Sequence, residues 1–361
     1  MLLLSQFQNL IRSGDSFAWF RLPGSNSDVL YISYSQPYKS LVNPTSHKPA
    51  FWITPFFSPN LSWCLYPDAI FSNGNLILGT GIRNSSAPLL FNTSQPPSSQ
   101  KNYLQNVDSA LQSIAQNDFQ KVVLSAVRSH KVSKIPDFYA YFTQAAELYP
   151  NAFVYCLYVP ELGIWCGATP ERFLSGNKAD KSLQTVALAG TAGKIGWTEK
   201  EIDEQFIVST YIENIFRECG IHEIVVGEQR TIVAGELQHL ITPISGTYAT
   251  DNKINTLIYA LHPTPAVGGY PRNNALDFIL KHELHDRRIY SGFLGPSDGS
   301  GNFDFFVNLR CAEFTGDSLL FYSGAGITAG SVAEAEWTET ARKAGVSQYL
   351  FNINPDSVEY A

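Results

Sequence analysis

Near the C-terminus, Glu336, Glu339 and Lys343 follow one another at i, i+3 and i+7, the spacing that sets side chains on one face of a helix. Val346 and Leu350 continue that face as apolar residues, which turns the charges toward the interior. A second carboxylate is placed in the same way. Glu204 shares a helical face with Ile207, Val208, Tyr211 and Ile215, while Ile202, Phe206 and Phe216 fall on the opposite side. A carboxylate in an apolar stripe is costly unless it finds a cation, a proton or a strong hydrogen-bond donor. The plainest alternative for the C-terminal run is a surface ion pair. Glu339 to Lys343 has the favourable i,i+4 order, and stabilises a helix by roughly 0.2 to 0.5 kcal/mol.

The segment just before that run, Ser323-Gly324-Ala325-Gly326-Ile327, reads as a glycine-rich turn after a strand. There, backbone N–H groups could converge on an anion such as a carboxylate. Magnesium takes oxygen ligands and binds through few protein carboxylates, completed by water and substrate oxygens. Glu204 and Glu339 suit it as ligands, with Glu201 and Glu336 one helical turn away as outer partners.

These residues need particular elements to hold them. A capping-box pattern at Thr198 and Glu201 predicts a helix from there to about Gly220, and Ser331 with Glu334 predicts another running to about Phe351. Runs of β-branched and aromatic residues predict strands at Val29 to Tyr34, Leu76 to Leu78, Lys121 to Val127, Phe153 to Val159, Phe303 to Leu309 and Ser318 to Tyr322. Asn84 to Asn102 has the composition of a linker or a long surface loop. Strands in runs, helices between some of them and no glycine-rich phosphate loop indicate an α+β fold.

Composition narrows the function classes. A formal net charge of -7 without a Lys/Arg cluster gives no footprint for nucleic acid or an anionic membrane surface. The five scattered cysteines lack the spacing of a disulfide framework or zinc site, which fits a reducing cytoplasm. Neither a signal-peptide core nor a membrane-spanning stretch is legible.

Separated motifs then carry a family resemblance. They are Lys121-Val-Val-Leu-Ser125, Ala168-Thr-Pro-Glu-Arg-Phe173, Ala187-Leu-Ala-Gly-Thr191, Glu201 to Val208, His262-Pro-Thr-Pro-Ala266, Tyr290-Ser-Gly292, Arg310 and the block Ser323 to Lys343. In this order they resemble the chorismate-utilising enzymes, the isochorismate, salicylate, anthranilate and aminodeoxychorismate synthases. The resemblance covers 103–351 as a catalytic core and leaves 1–102 as the variable first part of a single domain, 1–361. It implies large antiparallel sheets forming a sandwich with helices packed outside, a monomer, magnesium as cofactor and chorismate as substrate.

The same resemblance assigns roles residue by residue. Lys121 matches the general base that activates water for attack at C2, where the aminating enzymes carry glutamine, so no glutamine amidotransferase subunit is expected. Glu171 matches the acid that protonates the departing C4 hydroxyl. Such a pair works only if the acid arrives protonated and the base unprotonated, which calls for burial and neighbouring charge. Alone, Lys121 could be a strand-end surface lysine and Glu171 a turn carboxylate paired with Arg172. Ala189 stands where aminodeoxychorismate synthases carry a lysine, and Ala266 where salicylate synthases tend to carry threonine; both point to the isochorismate branch. Arg310 and Lys343 match the residues facing the substrate carboxylates, with Thr191, His262, Ala266, Tyr290 and Gly324 around the substrate. Arg310 has the alternative of pairing with Glu313, and His262 that of a core histidine. A salicylate synthase and a non-catalytic chorismate-binding relative are the rival readings. Whether the product feeds menaquinone, a siderophore or salicylate is not written in these residues.

Overall fold

The computed structural model describes residues 1–192, 197–234 and 237–354, apart from the side chains of 190–192, 233, 234 and 237. Among these residues, two antiparallel sheets of ten strands each form the body of the fold. In spatial order the first runs Gly269–Tyr270, Lys121–Lys131, Ser318–Ile327, Cys311–Phe314, Gly163–Thr169, Phe153–Val159, Ser16–Arg21, Asp28–Ser33, Ala69–Ser72 and Asn75–Leu78. The second runs His222–Val226, Leu237–Thr247, Ser182–Ala192, Arg172–Asn177, Phe303–Val307, Phe293–Asp298, Pro49–Thr54, Ser62–Leu65 and Tyr38–Ser40, and Arg230–Ala234 also pairs with Leu237–Thr247. The helices are α1 (Leu4–Ser13), α2 (Gln100–Ala115), α3 (Phe138–Leu148), α4 (Glu199–Glu218), α5 (Asn252–Leu261), α6 (Arg272–His282) and α7 (Ala333–Leu350).

Side-chain alternation explains the layering. Along Ser16–Arg21, Ala18 and Phe20 face the second sheet, meeting Phe51, Ile53 and Phe306. Phe17 and Trp19 point the other way, under α1 and α3. Both faces are therefore buried, which is why this strand reads as a continuous apolar run. The outer face of the second sheet, with Trp52, Phe293 and Phe305, packs under α4, α5 and α6 through Val208, Ile212, Leu257 and Phe278. The result is an α+β sandwich with helices outside both sheets.

The first hundred residues are woven into this body. Ser16–Arg21 pairs with Phe153–Val159, and Pro49–Thr54 with Phe293–Asp298. The predicted linker is likewise packed along the surface: Ala87 N donates to Arg12 O at 3.1 Å and Gln95 Nε2 to Tyr322 Oη at 2.7 Å.

Three local expectations are corrected. On α4 the buried face is Gln205, Val208, Tyr211, Ile212 and Phe216, with Ile202 and Phe206 exposed. Phe216 lies two i+4 steps beyond Val208 and so shares its face. At α7 the N-cap is Val332, because the Ser331 hydroxyl is committed to Thr328 N at 3.1 Å, and no Ser331–Glu334 box forms. The glycine-rich segment is not a turn. Its strand continues to Ile327, with Gly324 opposite Ser125 and Gly326 opposite Val123.

Candidate active site

Two passages of the chain from one sheet to the other deliver the key charges. Glu171 lies between Gly163–Thr169 of the first sheet and Arg172–Asn177 of the second. Thr169 Oγ1 donates to Val307 O at 2.7 Å, and Val307 N donates to Glu171 O at 2.9 Å, which fixes this passage. Arg310 occupies the return passage, between Phe303–Val307 and Cys311–Phe314, with φ +50. That left-handed conformation costs a residue bearing a Cβ on the order of 1 to 3 kcal/mol. Arg310 is thus half-buried at a crossover.

Between these passages lies a cavity. Glu171, Glu204, Ala266, Tyr290, Arg310, Gly324 and Lys343 line it, as does Ala189. Lys121 sits immediately behind the wall. A Cβ added to Gly326 would meet Glu204 Oε1 at 2.4 Å and Lys121 Cε at 3.2 Å, so glycine is needed for both side chains to cross the strand there. At Gly324 the added atom would come 2.9 Å from Tyr290 Oη. The glycines serve by absence of a side chain; the Gly324 carbonyl accepts a bond from Lys343 Nζ at 2.9 Å.

The electrostatics follow from burial. Lys121 is fully buried, which removes the surface-lysine alternative, and its Nζ stands 2.9 Å from Glu204 Oε1, an ion-pair contact without hydrogen-bond alignment. Burial pushes Glu171 up to about 8, against the opposing pull of Lys121, Arg310 and Lys343. Glu171 does not pair with Arg172, which instead grips Asp304 at 2.8 and 3.0 Å. Among the described residues the Arg310 guanidinium has no hydrogen bond or ion pair, since Glu313 is taken by Arg288 and by Tyr322 Oη at 2.7 Å. An arginine left open in a cavity is suited to a carboxylate fork. Burial pushes the Tyr290 phenol up to about 12, so it enters the cavity as a hydroxyl donor.

The carboxylates expected around a metal are distributed differently. Glu201 closes the capping box of α4, its Oε2 accepting from Thr198 N at 2.9 Å. Glu339 pairs with Lys343 at 2.5 Å, and Glu336 pairs with Lys200. Burial raises Glu336 against Lys200, whereas Lys343, Lys200 and Arg342 outweigh burial and hold Glu339 below the usual range. Among the described residues no group of three or more acidic, histidine or cysteine side chains is gathered tightly enough to cage a metal. The donor set nevertheless fits an ion held by two carboxylates and completed by water and substrate. Glu204 faces the cavity, and Glu336 Oε2 is buried without an aligned hydrogen bond.

Two further expectations change. His262 does not line the cavity. It is buried among Phe56, Phe173 and Phe293, its Nε2 3.1 Å from Pro55 O and 3.2 Å from Phe56 O, and burial lowers it to about 4. Its work is to hold the turn after Pro49–Thr54 as a neutral core histidine. The Thr191 side chain lies outside the described residues; its strand neighbour in register is His239. His239 is buried, lines the cavity and was missed, as were Leu188 and Lys200. The available signal for Lys200 was a cation in the first turn of a helix, where the macrodipole disfavours it.

The family profile for "Chorismate binding enzyme" matches residues 82–346. The chain belongs to the chorismate binding enzyme family. The isochorismate synthase EntC of Escherichia coli K12 is 29% identical over 219 residues, 56% of this chain and 56% of that protein. The salicylate biosynthesis isochorismate synthase of Pseudomonas aeruginosa is 33% identical over 256 residues, 66% of this chain and 52% of that protein. The chain thus aligns with a little over half the length of these relatives. The solved structure of MenF, the menaquinone-specific isochorismate synthase of Escherichia coli, superposes with a TM-score of 0.79 at 21% identity, covering 95% of this chain and 90% of that one. That likeness establishes the fold. In this chorismate binding enzyme, both crossovers, both central glycines and α7 therefore meet at one cavity.

Proposed function

We propose that this chain is an isochorismate synthase, converting chorismate reversibly to isochorismate with magnesium bound. The observation that carries this reading is a buried carboxyl, Glu171, that holds its proton near neutrality while facing a cavity backed by a buried lysine. Lys121 Nζ takes a proton from water as its oxygen forms a bond to C2. The ring electrons shift, the C4–oxygen bond breaks, and Glu171 gives its proton to the departing hydroxyl. One water enters and one leaves, and the net change at the protein is a proton moved from Glu171 to Lys121, which exchange with solvent resets.

Arg310 grips one substrate carboxylate in a two-bond fork, Lys343 supplies a compact charge and Tyr290 a hydroxyl. Magnesium, held by Glu204 and Glu339, would neutralise a carboxylate charge on the substrate. Ala189 and Ala266, at their own places in the wall, supply neither an amine for a covalent adduct nor a hydroxyl. Identification of the product from purified protein, chorismate and magnesium tests the assignment. Isochorismate supports it; salicylate with pyruvate would indicate the lyase branch, and unconsumed chorismate a binding protein. Omission of magnesium, with chelator present, is expected to abolish turnover, and undiminished turnover would remove the metal from the account.

A further inference from the structure

Lys200 stands at the second position of α4, in a first turn that also carries Glu199 and Glu201. The positive end of the helix dipole repels an ammonium there, and the solvent would be its default destination. Instead it reaches across to α7 and pairs with Glu336, itself in a first turn and 2% exposed. Lys200 retains a path outward, with its side chain 21% exposed. The charges of Glu336, Glu204 and Glu339 all act on it, together outweighing its burial. Glu204 and Glu339 meanwhile contact Lys121 and Lys343. With Lys121 serving as the uncharged base, three carboxylates are matched by the two ammonium groups of Lys200 and Lys343. A divalent ion added to this set would leave an excess of one positive charge; with the Lys200 ammonium expelled the set is neutral.

We propose that Lys200 is the resident counter-cation of the Glu204, Glu336 and Glu339 cluster, and that a divalent metal ion binds by displacing its ammonium toward solvent. Lys200 is a positioning residue in this scheme, holding the carboxylates of α4 and α7 together until the metal replaces it. The inference rests on the metal reading above. Calorimetric titration of magnesium ion alone into wild type, Lys200→Met and Lys200→Arg, each checked for fold by circular dichroism, separates the two. Lys200→Met is expected to bind magnesium roughly tenfold more tightly than wild type, the scale of one close charge pair removed, and Lys200→Arg no more tightly. Magnesium binding to wild type with equal or weaker binding to Lys200→Met overturns the role of Lys200 and leaves the metal reading standing. Absence of binding to all three proteins, with and without chorismate, overturns both. The wild type supplies a measurement that needs no variant. Acetylation of Lys200 by acetic anhydride, quantified by peptide mass spectrometry, is expected to rise severalfold on adding magnesium; an unchanged or lower yield overturns the displacement.

Discussion

A carboxyl that is to donate a proton near neutrality must first hold one, and at Glu171 burial achieves this against three nearby cations. The sign of the consequence is fixed. A carboxyl raised from its ordinary 4.5 to about 8 contributes stability that is full below the unfolded value and is lost as pH rises through about 8. The melting temperature of wild type should therefore fall more steeply between about pH 5 and pH 9 than that of Glu171→Gln, and parallel profiles would refute the raised acid. Turnover by Glu171→Gln should drop by roughly 10² to 10⁴-fold with substrate binding retained, as measured by steady-state rates and by calorimetry. Lys121 offers a different test. It is fully buried with its Nζ 2.9 Å from Glu204 Oε1, so Glu204→Ala leaves a buried amine without that partner and should destabilise the fold by about 1 to 3 kcal/mol in denaturant titration. At this scale the residue types were legible in the sequence and their partners were not. Glu204 on an apolar stripe announced a need for a partner, but that partner is Lys121, eighty-odd positions earlier, and the two meet at Gly326, where the strand Lys121–Lys131 lies beside Ser318–Ile327. His262 was misjudged for the same reason: its carbonyl partners come from Pro55 and Phe56.

The decisive element is the strand Ser318–Ile327, whose glycines carry the side chains of the site across its surface. Gly326→Ala would push Glu204 and the Lys121 stem aside. Because the closest atom is the end of a side chain, melting temperature should change little, while turnover should fall by roughly 100-fold, the cost of a misplacement near 1 Å. A variant with wild-type rates would show that the crossing is not needed. Regular periodicity made this strand, α4 and α7 legible from sequence. What could not be read was that the strand runs through its glycines, since glycine is disfavoured in strand interiors and signals a turn or a close approach equally well. Here the close approach of Tyr290, Glu204 and Lys121 decided it. The missing cap of α7 is similar, because a serine hydroxyl spent on Thr328 N cannot cap a helix.

Across the whole molecule, the cavity exists because two of the chain's passages between the sheets, at Glu171 and at Arg310, meet there, and because the first hundred residues complete both sheets. Removing 1–102 would delete Ser16–Arg21 and Pro49–Thr54 from the interiors of the two sheets, so a 103–361 fragment should lack a cooperative melting transition; a sharp one would show that the core folds without its N-terminal strands. The sandwich class was accessible from sequence through the family motifs, whereas the interleaving of the N-terminal strands was not, because pairing between Ser16–Arg21 and Phe153–Val159 leaves no local pattern. The central claim is chemical: that this cavity moves a hydroxyl around the ring of chorismate without amination or loss of the side chain. Incubation of the purified chain with chorismate and magnesium, followed by chromatography and proton NMR of the products, tests it most directly. The account predicts isochorismate, approached to the same ratio from either substrate or product. Salicylate with pyruvate, or chorismate left unchanged, would contradict it.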